Sequence, residues 1–334
     1  MMVYTQNIWK PLYHESSYRL SFHKKLLGWL PPSIQDRIGM LRRYRFIGHK
    51  GIGFPIVAIV DGSTFHGGLT DRWKGIISLY AFAKAIGREF KIHYVYPYDL
   101  ADFQVPAQYN WIIMPEELSH NFFTTHMIRI TGDATISRLL HLPTNKQIHI
   151  YANRDCIELI NQTYGTHFTW NELFNELFRP APILQKALDK FSIFTQKPYI
   201  AVAFRMQNLL GDYPEYAYQP TDTERQQAII DSCMRCIKQL HQKHNTSILV
   251  TSDSNRMAEV ASSLPYVWTN QGKAVHVDTI SSAPVEYYLK SFVDFYLLSG
   301  AQKIYAPHTP EMYTSDFPKY AALTGNIPFE RILL

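Results

Sequence analysis

The chain has 334 residues, of which 46% are hydrophobic, 18% charged and 14% aromatic, and carries a net charge of +5. That length predicts two domains, and the composition supports a large core and excludes a disordered chain. No apolar run approaches the roughly 20 residues that span a bilayer, Met1 to Lys10 lack a charged-then-apolar leader, and Cys156, Cys233 and Cys236 are too few for a disulfide scaffold, so the expectation is a soluble, cytoplasmic protein.

Residues 1–50 hold nine Lys/Arg against Glu15 and Asp36, a net of +7, which leaves −2 for the rest of the chain. Leu26, Leu27, Trp29, Leu30, Ile34 and Ile38 lie among those charges. A solvated arm packed along the first domain fits this basic segment, and so does peripheral contact with an anionic membrane at the inner face of the plasma membrane. Nucleic acid is not expected as a partner, because neither zinc-finger spacing nor an RNA-recognition signature is present.

Residues 55–60 predict a buried strand, 61–70 a loop, 69–87 a helix and 89–95 a second strand. Thr70 is the expected N-cap of that helix and Gly87 its stop. Residues 111–114 and 147–151 predict further strands. Helices are expected around 171–178 and 183–191, separated by Arg179-Pro180-Ala181-Pro182, where the domain boundary is expected. The second half then alternates strand 199–204, helix 224–244, strand 247–251, helix 256–264, strand 275–277, helix 284–299, strand 303–306 and a helix near 312–323. The expectation is an α/β protein: after the basic segment 1–50, two Rossmann-like, doubly wound domains (51–180 and 181–334) face each other across a cleft. Ligands bind at strand ends in such folds, although fold alone assigns no chemistry.

Four stretches carry candidate chemistry. His66-Gly67-Gly68-Leu69-Thr70-Asp71-Arg72 joins a strand to a helix; two glycines permit close approach, and the helix N-terminus favours an anion. A tight turn with Asp71 as a first-turn acid explains it equally well. Arg205 ends a buried strand, where a planar guanidinium suits a phosphate or an ion pair across the cleft. Thr251-Ser252-Asp253-Ser254 ends the next strand and has the composition of a helix cap. Asp294 sits on a mostly apolar helix and needs a partner, either a ligand's N–H groups or a nearby Lys or Arg. Cys233-x-x-Cys236 lies in an amphipathic helix without a second ligand pair and reads as core. No HExxH, GxSxG or Walker loop is present.

In order and spacing, these stretches resemble the fucosyltransferase superfamily that includes the bacterial nodulation α1,6-enzymes, the α1,2-enzymes and the protein O-fucosyltransferases. The segment from Asp61-Gly62 through Gly67-Gly68-Leu69-Thr70-Asp71-Arg72 to Gly87-Arg88 resembles their glycine loop and first helix. Residues 199–205 resemble the strand that ends in a His-x-Arg-Arg-x-Asp motif, 248–253 a strand ending Thr-Asp-Asp, and 293–299 a third-motif helix. The match covers about residues 55–90 and 197–325. It implies the GT-B arrangement, a GDP-fucose donor held mainly by the C-terminal domain, inversion at the anomeric carbon, and no cofactor or metal. Carried over by position, Arg205 matches the arginine on the donor diphosphate, Asp294 the acid that pairs with guanine, and Asp253 the second-motif acid. The chain departs from the pattern at Ala203, Met206 and Asn208, which replace the motif histidine, second arginine and acid.

The expected reaction is therefore sugar transfer from a nucleotide sugar to a glycan hydroxyl, the acceptor being a lipid-linked glycan of bacterial surface-polysaccharide synthesis. A GT-B transferase with another donor, or a catalytically silent nucleotide- or glycan-binding relative, remains the alternative. Arg205, with His308, Thr309, Gly67 and Gly68, is expected to stabilise the leaving diphosphate. Glu215, Asp71, Asp212 and His66 are the bases on offer for the acceptor hydroxyl.

Overall fold

The computed structural model describes residues 41–64, 66–130, 141–212, 219–272 and 285–334, together with Ile34, Ile38 and Leu139. Most of the basic segment, Glu215 and the expected strand at 275–277 lie outside the described residues. Chain order in the N-terminal half is β1 (Ile56–Val60), α1 (Leu69–Ala85), β2 (Phe90–Tyr94), β3 (Gln104–Pro106), β4 (Thr125–Ile130), β5 (Gln147–Ala152), α2 (Ile157–Tyr164), α3 (Trp170–Leu177) and β6 (Phe178–Pro180). The second half continues with α4 (Pro182–Asp189), α5 (Ser192–Thr195), β7 (Tyr199–Phe204), α6 (Thr223–His244), β8 (Ser247–Ser252) and α7 (Asn255–Ser262). It closes with β9 (Val267–Thr269), α8 (Val285–Ser299), β10 (Ile304–His308), α9 (Phe317–Gly325) and β11 (Phe329–Leu333).

The first sheet is parallel in the order β2-β1-β5-β4. All of β1 is buried because both faces of the sheet are covered, which is why it reads as an unbroken apolar run. Ile56, Ala58 and Val60 join the cluster under α1, whereas Val57 and Ile59 pack with Tyr44, Leu118, Met127 and Tyr151 on the other face. Tyr44 donates to or accepts from His149 Nδ1 at 2.8 Å. Residues 44–50 thus pack on the N-terminal half, although the sequence assigns them to the basic segment.

Two strand expectations change. Residues 111–114 form only a single bridge, Ile92 to Ile112, with Pro115 closing the run. The edge place in the sheet goes instead to β4, whose Thr-His-Met-Ile-Arg-Ile sequence mixes polar and apolar side chains. The first helix is capped by Gly68 rather than Thr70, which is its second residue.

The second sheet is parallel in the order β11-β10-β7-β8-β9. Strand order therefore reverses between β7 and β10, and a crevice opens beyond their carboxyl ends, at Phe204 and His308. One face of this sheet packs on α6, where Cys233 and Cys236 are buried among Ile200, Val202 and Ile248. Burial pushes these thiols up to about 12 and about 11, as core packing requires.

The other face joins the core of the first half. Trp73 of α1 meets Phe174 of α3 and Phe292 and Phe295 of α8, with ring centroids 4.4–5.6 Å apart. Trp170 packs edge-on against Tyr320 of α9 and donates to Thr324 Oγ1 at 2.8 Å. One apolar cluster consequently spans both halves. Among the described residues no helix is long and apolar enough to cross a membrane.

Candidate active site

The carboxyl ends of β7, β8 and β10 and the N-terminus of α1 converge on a cleft of about 320 Å³. Gly68, Asp71 and Lys74 line it from the N-terminal half; Arg205, Asp253, Asp294, His308 and Arg331 line it from the other.

The glycine loop has a structural cause for each residue. Gly67 has φ +79°, and a Cβ there would lie 2.8 Å from the Asp71 side chain, so only glycine fits. Gly68 has ordinary φ and open space around a notional Cβ, so its small size leaves room on the cleft wall. Beneath the loop, fully buried Arg72 donates from Nε to the Gly67 carbonyl (3.0 Å) and from Nη1 to Tyr94 Oη (2.9 Å) and the Tyr96 carbonyl (2.6 Å). No side chain caps α1, and the buried Thr70 hydroxyl has no hydrogen-bond partner among the described residues. The helix thus presents its positive end, with backbone donors, to the cleft.

Arg205 lies on the opposite wall, with its side chain 20% exposed. Its Nη1 donates to Asp253 Oδ2 at 2.5 Å. The Asp253 carboxylate also accepts from the Met206 N–H (2.7 Å) and the Gln207 N–H (2.8 Å). Asp253, the second-motif acid and a donor-site residue by the resemblance, thus holds the 205–207 turn and aims the arginine. Met206, in the place of the motif's second arginine, is buried in the C-terminal core.

Asp294 is buried, and its partners are protein groups: Lys290 Nζ at 2.7 Å and Asn270 Nδ2 at 2.8 Å. Burial raises its pKa, against the pull of Lys290 and Asn270. The lysine one turn earlier is thus a partner of the kind weighed from the sequence. Asp294 still borders the cleft, together with Ser291 and Ala203.

His308 lines the cleft, and its Nδ1 has no hydrogen-bond partner among the described residues. Thr309 does not line it. It follows the end of β10 and is buried. Among the bases on offer, Asp71 is in the cleft, bonded to Lys74 Nζ at 3.1 Å. Asp212 is a structural cap instead: its Oδ2 accepts from Ser254 Oγ and from the Arg256 N–H, each at 2.8 Å. His66 is buried off the cleft, its Nε2 accepting from the Gly62 N–H at 3.2 Å. Burial and then Arg72 push its pKa down to about 4, so it is neutral at pH 7.

Sequence reasoning missed a charged chain across the cleft. Lys74 Nζ reaches from α1 to Asp316 Oδ2 at 2.9 Å, and Asp316 Oδ1 accepts from Arg331 Nη2 at 3.0 Å. The hydrogen-bonded carboxylates of Asp316 and Asp71 outweigh burial and raise the Lys74 pKa. Only the three-residue spacing of Asp71 and Lys74 was visible in the sequence. Among the described residues no cluster of three or more His, Cys, Asp or Glu side chains is arranged to hold a metal.

No protein-family model matches the chain, and no curated protein matches it. Solved structures do. A point mutant of Arabidopsis thaliana FUT1 in complex with GDP aligns over 94% of this chain and 78% of its own, at 13% identity and a TM-score of 0.53. Fucosyltransferase NodZ from Bradyrhizobium aligns over 81% of this chain and 92% of its own, at 13% identity and a TM-score of 0.46. The overlap with the Arabidopsis protein shows a common fold, in keeping with the paired-sheet GT-B architecture expected from the sequence.

Proposed function

We propose that the protein is a glycosyltransferase of the fucosyltransferase type, which transfers a sugar, with inversion, from a nucleotide diphosphate donor to a glycan hydroxyl. The observation that carries the reading is Arg205: it stands at the strand-order reversal of the second sheet, on a cleft wall facing the uncapped N-terminus of α1. A cation and a helix N-terminus facing one another are what a leaving diphosphate needs, because both stabilise charge that grows as the sugar–phosphate bond breaks. GDP-fucose is the proposed donor, supported by the fold shared with a protein solved with GDP and by the sequence motifs.

In this mechanism Arg205 and the α1 N-terminus hold the diphosphate, and Asp253 keeps the guanidinium aimed. Asp294, kept near Lys290 and Asn270, borders the cleft, and the motif resemblance supports it as the acid for the nucleotide base. Asp71 is the proposed base: it accepts the acceptor hydroxyl's proton as the oxygen attacks the anomeric carbon from the face opposite the diphosphate. The proposed acceptor is a lipid-linked glycan at the inner face of a bacterial plasma membrane, a reading supported by the +7 charge of residues 1–50.

The test is Arg205→Ala against Arg205→Lys in a donor-turnover assay, with a thermal-shift panel of GDP, UDP, ADP and CMP. Turnover should fall roughly 10²–10³-fold in the alanine variant, which should still unfold in one transition although it loses the bond to Asp253. Near-wild-type turnover would remove the assignment, and a shift by UDP or ADP rather than GDP would replace the donor.

A further inference from the structure

We propose that the amino edge of the first sheet carries a membrane-inserting wedge, Phe46-Ile47 with Phe123, that seats the protein on an anionic phospholipid surface. The proposal goes beyond the transferase reading: the wedge lies at the edge of the first sheet opposite the strand ends that border the cleft, and its test does not depend on sugar transfer.

Residues 45–48 form a tight turn in which the Gly48 N–H donates to the Arg45 carbonyl at 3.3 Å, leaving Phe46 and Ile47 at the corner. Ile47 is 99% exposed, and Phe46 and Phe123 are 58% and 61% exposed. The Phe46 and Phe123 rings lie 5.7 Å apart, and Phe122 backs Phe46 at 5.2 Å, so the three rings form one patch with Ile47 next to it in the turn.

The patch is built rather than loose. Buried Asn121 donates from Nδ2 to the carbonyls of Phe46 (3.2 Å) and Gly48 (3.1 Å), while its Oδ1 accepts from the Phe123 N–H (2.8 Å). The Arg45 N–H donates to the His120 carbonyl (2.9 Å), and the Phe122 N–H to the Arg45 carbonyl (3.0 Å). Two adjacent turns are thereby locked together with their largest apolar side chains facing water, an arrangement that folding alone does not reward.

Charge identifies the occupant. Arg42, Arg45 and Lys50 are exposed beside the turn, and none of them makes an ion pair among the described residues. The acids of this edge are Glu116, whose carbonyl accepts from His49 Nε2 at 2.6 Å, Glu117, whose Oε2 accepts from the Met114 N–H at 2.7 Å, and Glu89, which pairs with Lys91. They leave the ring of Arg42, Arg45 and Lys50 without a carboxylate partner among the described residues. Aromatic and aliphatic tips ringed by cations match an anionic headgroup layer over acyl chains, where each cation contributes about a fivefold gain in partitioning. The further positive charge of residues 1–40 is continuous in sequence with this ring.

The experiment is co-sedimentation of the full chain with vesicles of phosphatidylcholine alone or with one third phosphatidylglycerol. Wild type should bind the mixed vesicles and not the neutral ones. Phe46→Ser with Ile47→Ser should weaken binding at least tenfold with the melting temperature unchanged. Ile47→Ser alone, at a side chain that packs on nothing, covers the case in which the double variant folds poorly and should weaken binding about threefold or more. Arg205→Ala should bind vesicles like wild type, which separates failure of the transferase reading from failure of this one. Binding of the serine variants equal to wild type, or no binding of wild type to the mixed vesicles, would overturn the proposal. A wild-type dimer that dissociates in the serine variants would assign the patch to a second copy of the chain instead.

Discussion

Asp253 is the position where structure and catalysis separate most cleanly. Its carboxylate accepts from Arg205 Nη1, the Met206 N–H and the Gln207 N–H at 2.5, 2.7 and 2.8 Å. Gln207 has φ +51°, in the left-handed region, so the clamp also holds a backbone conformation that a non-glycine residue adopts at a cost of about 1 kcal/mol. Hydrogen bonds to a charged group contribute about 1.5–3 kcal/mol each. Three of them would total well above what is expected here, because Arg205 is one-fifth exposed and turns to water once released. Asp253→Ala should therefore cost about 2–4 kcal/mol in urea denaturation. Turnover should fall by roughly 10² or more, since the freed guanidinium no longer meets the diphosphate in one orientation. Asp253→Asn keeps the shape but turns one N–H group toward a donor, so about half of the stability loss should appear. Loss of nucleotide affinity with stability unchanged in Asp253→Asn would mean that the carboxylate binds ligand directly, and the positioning argument would fail.

Two further outcomes follow from the ion chain and the shared core. Lys74→Met should cost about 1 kcal/mol at pH 7, a discounted figure because Asp316 is 43% exposed. Burial raises the Asp316 pKa but Lys74 and Arg331 outweigh it, so the net shift is downward. The Asp316 contribution is thus present above the ordinary carboxylate value of 3.8 and lost as pH falls through the lowered folded value. Denaturation measured from pH 7 to 2 should show wild type and Lys74→Met converging in acid; a constant gap would deny the bridge. Trp73→Ala, at a fully buried ring between the halves, should cost about 3–5 kcal/mol, and calorimetry of the variant should still give one transition. Two separated transitions would show that the halves do not share a core.

Much of the fold was legible because its central strands are short β-branched runs buried on both faces: β1, β7 and β8 lie within a residue or two of their expected bounds. The outer strands were not. In β4 and β11 polar side chains such as His126, Arg129, Glu330 and Arg331 interrupt the apolar signal, as they do where one side of a strand meets water. In the cleft, Gly68, Asp71, Arg205 and His308 were visible because each stands at a strand end or a helix start. Asp316 and Arg331 were not: their meeting with Lys74 is made by tertiary packing across a separation of 242 residues for Lys74 and Asp316, which no local spacing encodes. Lys290, four residues before Asp294, was readable as its partner from helical spacing.

The placement of Trp73 and Lys74 bears on how the cleft can work. They are adjacent on α1, yet one is sealed in the aromatic core against α8 and the other reaches through the cleft to Asp316. The helix whose N-terminus faces Arg205 is thus fastened to the second half at two neighbouring points, one apolar and one ionic. Widening the cleft at this point would expose Trp73, Phe292 and Phe295, at about 1.5–3 kcal/mol for each large apolar side chain. A hinge here is therefore opposed, and the separation between the α1 N-terminus and Arg205 is set before a ligand arrives. That favours a site whose proposed diphosphate-binding groups are preorganised.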